Sequence, residues 1–525
     1  MVQHVAVGHL ESLDVLIAGA GPAGLAMAAE AARFGLRYRI IDKAPHGAEH
    51  SQALVLQART LEQFERYEIA QRAIELGRRL KRIRIYSDRK RILEASFEEL
   101  PGNYPFVLFL PQTETERLLT EHVEAQAGRI ERDVELESFV QGVDSVECEL
   151  LLKDGSRERV EAAFLIGCDG AHSTVRRLLG MPFEGSGIDF DFFLGDLRLD
   201  GDVPGDELSV HLQGGNLVFL GRLDDTHCRV IVALQGHPQT REPSVADFQY
   251  GIDVCGVENL RVSDPRWMAA FRVSERRAPA YSSGRVFLAG DATNIHSPVG
   301  GQGMNTGNQA AANLMWKIGL VHRGRAHFRL LDSYDRERKP LSDALLQTTS
   351  TALRAATASN WFLERLRDSV LSRIAALDAV QNRIRDAVSE LGINYRGSDI
   401  VRDCGGSSGL RAGDRAPDCE VTDETQTPFR LFALLKDPLH TALAVLPQGG
   451  APLEHFAVLL SRYGDVMQGS VLKGGDELFA EKYAGREGML YVVRPDGYIA
   501  FRSALANTEE FERWCSGFFI SPASR

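Results

Sequence analysis

Asp14-Val-Leu-Ile-Ala-Gly19-Ala-Gly21-Pro-Ala23-Gly24-Leu-Ala-Met-Ala-Ala-Glu-Ala-Ala32 decides how the chain begins to fold. An apolar run meets two closely spaced glycines, a third glycine follows, and Ala-rich sequence continues at once. Strand, tight turn and helix therefore succeed one another without a gap, as a dinucleotide-binding turn requires. Gly19 suits the turn, Gly21 leaves room for a pyrophosphate at the helix N-terminus, and Gly24 lets the helix pack closely on the strand. Ala23 lies within the same turn. Tyr38 to Asp42 reads as the next strand, and Asp42 stands 23 positions after Gly19, where a carboxylate grips an adenosine ribose. Gly19, Gly21, Ala23, Gly24, Asp42 and the adjacent Lys43 are candidate nucleotide contacts, and the nucleotide is FAD or NAD.

A second stretch, Val286-Phe-Leu-Ala-Gly290-Asp291-Ala-Thr-Asn294-Ile-His296-Ser-Pro298-Val-Gly300-Gly301-Gln-Gly303-Met304-Asn305-Thr-Gly307, narrows the choice. Val286 to Ala289 suits a short buried strand, and Gly290-Asp291 is a turn signal directly after it. A carboxylate at that edge can accept hydrogen bonds from ribityl hydroxyls. The glycines let the backbone approach a flat ring with amides free to face it. On this reading the stretch holds a flavin: Asp291, Gly303, Met304 and Asn305 contact it, and His296 and Pro298 lie beside its ring. A Gly-rich loop with an ordinary turn aspartate is the other reading of these residues alone. A third stretch, Phe164-Leu-Ile-Gly-Cys168-Asp169-Gly170-Ala-His-Ser173-Thr-Val-Arg176-Arg177, is another buried strand entering a turn and a helix, with Ser173 near the cap.

The ordered triple of GxGxxG, then Asp-Gly followed by SxVR, then Gly-Asp followed by HxPxxGxGMN, resembles the class A flavoprotein monooxygenases, the para-hydroxybenzoate and phenol hydroxylase family. Pro101-Gly-Asn-Tyr104-Pro-Phe, followed by Gln112-Thr-Glu-Thr-Glu-Arg117, is similar to its pentachlorophenol and phenol monooxygenase branch. The resemblance implies FAD as cofactor, NADPH or NADH as a visiting reductant and O2 as co-substrate. It implies hydroxylation of a phenolic or polycyclic aromatic compound through a C4a-hydroperoxyflavin. It also implies that Asp291 binds the ribityl chain, that Asp169 serves FAD and the visiting nucleotide, and that Gln112 contacts the ribityl chain from a helix head. A basic side chain between substrate and flavin finds its best match in Arg276, so Arg276, His296 and Pro298 are the candidate catalytic residues. Gln112 also reads as a plain helix N-terminal residue, and Arg276 as a surface charge.

Departures from the family pattern are specific. Gln52 stands where an arginine commonly approaches the pyrophosphates, and Arg59 either replaces that charge or lies on the surface. Asn294 and Ala310 replace a histidine and an aspartate, and Leu54 occupies the place of the branch's phenol-activating aspartate. Baeyer-Villiger insertion or epoxidation of a polyketide-like substrate, and a catalytically silent flavin-binding protein, stay open. No Trp-x-Trp-x-Ile-Pro is present, which argues against a flavin halogenase.

These readings predict a mixed α/β (α+β) protein. A Rossmann-like FAD-binding domain (1–80, 111–185 and 281–400) is interleaved with a β-sheet substrate domain (81–110 and 186–280). After the Gly405-Gly-Ser-Ser-Gly linker, the C-terminal part (405–525) resembles the thioredoxin-like tail of phenol hydroxylases, and without CxxC the resemblance implies structural or dimerising work only. Residues 129–163 predict a small antiparallel sheet, 113–126 and 309–322 predict helices, and 359–391 carries apolar residues at helical spacing. Phe190, Phe192, Phe193, His211, Phe219 and His227 are pocket candidates. The 525 residues are 44% hydrophobic with net charge −12, which argues against a nucleic-acid partner. No apolar run is long enough for a membrane span. The seven cysteines lack CxxC or metal spacing, and the first residues do not read as a signal peptide, so reduced thiols in a cytoplasmic protein are expected. A homodimer is compatible with this reading.

Overall fold

A computed structural model of the chain describes residues 12–49, 51, 53–235, 242–295, 301–356, 378–406, 409–447, 456, 460–483 and 488–520. Gln52, His296, Pro298, Gly300 and the predicted helical residues 359–377 lie outside the described residues.

Ser12–Ala18 is the middle strand of a parallel set, with Tyr38–Asp42 and then Ile130–Arg132 on one side. Arg157–Gly167 and then Val286–Leu288 lie on the other side. Val15, Leu16 and Ile17 have no exposed surface, which explains why that strand is a continuous apolar run rather than an alternating one. The expected small antiparallel sheet is not separate. Glu135–Gln141 and Val146–Leu151 form a meander on the first half of Arg157–Gly167, whose second half is a central strand of the parallel set. The sequence carries that change of partner: Arg157 to Ala163 alternates, whereas Phe164 to Ile166 is buried on both faces.

Two helices cover one face of this sheet. Pro22–Arg33 follows the first strand, and Gly303–His322 packs against it. The second helix begins at Gly303, six residues before the position predicted from apolar periodicity. Its early glycines read as loop signals, yet Gly307 lies inside the helix where an added Cβ would stand 3.1 Å from the Cβ of Ala23, a tight approach. Leu314, Met315, Trp316 and Ile318 are almost fully buried, and each such side chain contributes about 1.5–3 kcal/mol on burial.

A second large sheet runs in the order Asn294–Ile295, Arg261–Arg277, Glu184–Asp200, His227–Ala233, Asn216–Arg222, Glu207–Gln213, Arg82–Ser87 and Lys90–Ser96. It is antiparallel except where Glu207–Gln213 runs beside Arg82–Ser87. Helix Val245–Val254 covers one face through Phe248 and Ile252, packing on Phe193, Val218, Val230 and Val232. The other face is the one that matters for function.

The C-terminal part holds a five-stranded mixed sheet, ordered Arg402–Cys404, Ile499–Ala504, Met489–Val493, His440–Val445 and Met467–Leu472. Buried charge ties it to the first sheet's helices. Glu337 accepts hydrogen bonds from Lys317 Nζ at 2.8 Å and from Arg494 Nη1 at 2.6 Å, and all three side chains are fully buried. Arg59, for which sequence left a pyrophosphate or a surface role, has neither. It is fully buried, paired with Glu62 at 2.7 Å, and donates to the Asp496 carbonyl at 2.6 Å. The partner carbonyl lies 437 positions away, a distance over which no local pattern informs.

Candidate functional site, a cavity between the glycine motifs and the second sheet

One cavity of about 550 Å³ brings the three motifs to the uncovered face of the second sheet. Gly21 and Ala23 come from the first motif, Cys168 and Gly170 from the third, and Gly290, Asp291, Gly303, Met304 and Gly307 from the second. Opposite them the sheet alternates with period two, as a pleated strand must. Ile83 and Ile85, then Leu208, Val210 and Leu212, then Leu217 and Phe219, then Arg229 and Ile231 line the cavity from successive strands. Phe192 adds an aromatic ring stacked on Phe271, with centroids 5.4 Å apart.

The glycines of the first motif differ in what surrounds them. Gly19 has φ +102°, and a Cβ there would lie 2.3 Å from the Cys168 carbonyl oxygen. At Gly24 the added atom would stand 1.8 Å from the Gly19 oxygen, so helix and turn are in backbone contact. Gly21 has no atom within 4 Å of that position, which leaves open space at the helix N-terminus. Asp42 closes the turn from the next strand: its Oδ2 accepts from the Ala20 amide at 2.6 Å, its Oδ1 accepts from the Ala44 amide at 2.8 Å, and Arg132 lies 3.4 Å away. Lys43, beyond it, is exposed.

At the third motif, Asp169 Oδ2 accepts from the amides of Thr174 and Val175 at 2.6 and 3.1 Å, while Ser173 caps the same helix through the Arg176 amide at 2.9 Å. Asp169 Oδ1 is buried and has no hydrogen-bond partner among the described residues. Gln112 heads the helix Gln112–Ala125 and lines the cavity. Its Oε1 accepts from the Ala53 amide at 3.1 Å, and its Nε2 donates to Glu116 at 2.8 Å.

Two candidates are revised by geometry. Asn305 is buried, and its side chain is spent on the protein: Oδ1 accepts from the Gln57 amide at 3.0 Å and from Thr60 Oγ1 at 2.7 Å, while Nδ2 donates to the carbonyls of Val55 and Gly301, both at 2.8 Å. It anchors the glycine loop, and neighbouring Met304 lines the cavity instead. Arg276 is exposed, donates to Ser274 Oγ at 3.2 Å, and does not line the cavity. It lies at the end of a long strand where the alternation turns its side chain outward. Among the described residues, the charged side chain that the sheet presents to the cavity is Arg229, which apolar periodicity did not single out.

Of the six pocket candidates, Phe192 and Phe219 line the cavity, and Phe193 packs on the covered face against Phe248. His211 stacks on Tyr86 at 4.8 Å, and burial pushes its imidazole down to about 4. His227 is buried beside Asp224 and the Asp264 carbonyl, and the side chain of Phe190 lies outside the described residues. Leu54 and Val55 do line the cavity, so an apolar surface stands where the branch has a carboxylate.

With this geometry in place, the protein is a FAD-dependent flavoprotein monooxygenase, and the chain belongs to the FAD binding domain family, matched over residues 12–349. Its relatives are specific. It is 34% identical over 521 residues to 6-methylpretetramide 4-monooxygenase of Streptomyces rimosus, covering 94% of this chain and 91% of that one. It is 31% identical over 538 residues to pentachlorophenol 4-monooxygenase of Sphingobium chlorophenolicum, with 95% of each chain covered. Among solved structures, the OxyS anhydrotetracycline hydroxylase from Streptomyces rimosus superposes with a TM-score of 0.80 at 27% identity, covering 97% of this chain and 99% of that one.

The residues present fit FAD. Open space at Gly21 and Gly170, the unpartnered Asp169 oxygen and the cavity-facing start of helix Gly303–His322 form a cradle with both polar and flat surfaces. The first amides of a helix lack intrahelical acceptors and carry its positive end, which suits an electron-rich ring edge or a phosphate. Among the described residues no helix is long and apolar enough to cross a membrane, and no cluster of metal-ligating side chains occurs.

Proposed function

We propose that the protein uses NADPH or NADH and O2 to place one oxygen atom on a phenolic or polycyclic aromatic compound held in the cavity. The balance is one aromatic C–H, one O2, one reduced nicotinamide and a proton giving one hydroxylated ring, one oxidised nicotinamide and water. FAD, when bound, supplies hydride acceptance and oxygen activation. The observation that supports the reading is the sharing of one cavity by the FAD motifs and an apolar sheet face.

On this reading Gly19, Gly21, Ala23, Gly24, Asp42 and Lys43 hold the adenosine and pyrophosphate part, and Gln112, Asp169, Asp291, Gly303 and Met304 hold the flavin part. His296 and Pro298, outside the described residues, stay candidate catalytic residues on the resemblance alone. The leucines, isoleucines and phenylalanines of the sheet keep water from that face and leave a flat ring no polar competitor. Leu54 offers no carboxylate to take a phenolic proton, which favours a substrate that ionises readily over plain phenol. The relatives named for 6-methylpretetramide and anhydrotetracycline support a multi-ring compound. The two large sheets support a division into 1–80, 111–185 and 281–400 for FAD and 81–110 and 186–280 for substrate, apart from Asn294–Ile295, which pairs with the second sheet. The C-terminal sheet is thioredoxin-like, with a structural role that the buried Glu337–Arg494 contact supports.

The test is oxidation of NADPH and NADH by the FAD-loaded protein with a panel of phenols and polycyclic phenols, with product mass and hydrogen peroxide both measured. Expected is one compound that accelerates oxidation and returns heavier by one oxygen. Peroxide alone across the whole panel contradicts the proposal.

A further inference from the structure

Among the described residues that the second sheet turns into the cavity, Arg229 alone is charged, and it is 1% exposed. It is held from behind. Its Nε and Nη2 donate to Asp196 Oδ1 and Oδ2 at 2.6 and 3.2 Å, and Trp267 Nε1 donates to the same Oδ2 at 2.7 Å. Asp196 stands directly opposite Arg229 on one neighbouring strand and opposite Trp267 on the other. The guanidinium carbon lies 5.2 Å from the indole centroid. Carboxylate and indole therefore fix the plane of the guanidinium and neutralise its charge.

What remains is Nη1. It has no hydrogen-bond partner among the described residues, and it is not one of the enclosed polar atoms. A guanidinium N–H facing an apolar wall without an acceptor is costly, and a ligand oxygen that accepts there removes the cost. The chemistry of that ligand is constrained. Nε and one N–H of Nη2 are committed to Asp196, so an incoming oxygen is met chiefly at Nη1, the guanidinium nitrogen with no partner among the described residues. The pair's near-neutral charge suits a delocalised oxyanion better than a localised one.

We propose that Arg229 Nη1 anchors a single substrate oxygen, an ionised phenol or an enolised ketone on a polycycle, and so sets which edge of the ring system faces the glycine wall. This rests on the reading of the cavity as an aromatic-substrate site. Asp196 and Trp267 act through Arg229 and are positioning residues. The competing account is a buried pair that merely joins three strands, and it requires no ligand effect.

The probes are 1-hydroxypyrene and pyrene, a polycyclic phenol and the hydrocarbon of the same shape, bound to the FAD-loaded protein and followed by fluorescence. Wild-type protein is expected to bind both and to lower the pH at which bound 1-hydroxypyrene ionises. Arg229→Gln is expected to abolish that lowering and weaken 1-hydroxypyrene about tenfold or more, with pyrene changed less than about twofold. The proposal is overturned if bound 1-hydroxypyrene ionises as it does free in solution, or if the variant keeps the shift or weakens both probes equally. Should Arg229→Gln fail to fold, the paired Arg229→Gln/Asp196→Asn variant retains an uncharged hydrogen bond, and the wild-type titration decides unaided. If neither probe binds wild-type protein, the aromatic-cavity reading falls with the anchor; if both bind with equal affinity and no shift, only the anchor falls.

Discussion

In the turn behind the glycine wall an added methyl group meets backbone at Gly19 and Gly24; where the second sheet walls the cavity, one apolar side chain could replace another of similar size. A Cβ on Gly24 would stand 1.8 Å from a carbonyl oxygen, whereas Ile231 sits on an alternating face with Val210 and Phe219 for company. The turn that carries the first wall is specified by contact between main chains at Gly19 and Gly24, and those two positions tolerate one residue type. The second wall is specified by shape and period and tolerates many. A scaffold built this way keeps its cofactor site fixed while its substrate site is free to vary.

The comparison breaks most directly at Gly24. Gly24→Ala has no room to relax, so we expect a loss of about 3 kcal/mol or more in denaturant unfolding and purification without flavin colour. A folded, FAD-loaded Gly24→Ala protein would show that the first wall is softer than its geometry.

The helix Asp378–Ser389 brings Val388 to the cavity, and Glu390 follows it, buried against Gln309. Burial pushes the Glu390 carboxyl up to about 8. Its pKa is thus raised above the unfolded value, so it contributes stability that is fully present below about pH 4.5 and lost as pH rises towards 8. Glu390→Gln should therefore match wild type near pH 5 and be more stable by about 2–4 kcal/mol near pH 8, read from unfolding at each pH. A constant difference at all pH values would refute this.

Asp291→Ala sharpens the comparison from the cofactor side. Loss of hydrogen bonds to a charged group is expected to weaken FAD binding by about 1.5–3 kcal/mol in equilibrium dialysis. On the second wall, Ile231→Val should cost only about 0.5–1.5 kcal/mol of stability and leave FAD content unchanged, while altering which aromatic compounds stimulate turnover.

Legibility in the sequence follows the same division. Gly19 and Gly24 were readable because close backbone approach forces glycine, and the parallel sheet was readable because its strands are apolar on both faces. The start of helix Gly303–His322 was missed because Gly303 and Gly307 resemble loop residues until Ala23 is brought beside them. Arg276, read both as a site charge and as a surface charge, and Arg229, not singled out, were hard to place for another reason. Period two tells that alternate residues share a face, and the partner that closes the cavity decides which face it is. Arg59 was beyond local reading altogether, since its acceptor belongs to Asp496.

The central claim is that FAD and an aromatic substrate occupy one continuous cavity between these walls. The most direct measurement is the absorption spectrum of the bound flavin as an aromatic compound that stimulates NADPH or NADH oxidation is titrated in, for wild type and Phe219→Ala. The account predicts a saturable change in the flavin bands of the wild-type protein, with weaker apparent binding when the Phe219 ring is removed. Binding of that compound, established by dialysis, with no change in the flavin spectrum and no effect of Phe219→Ala would contradict it.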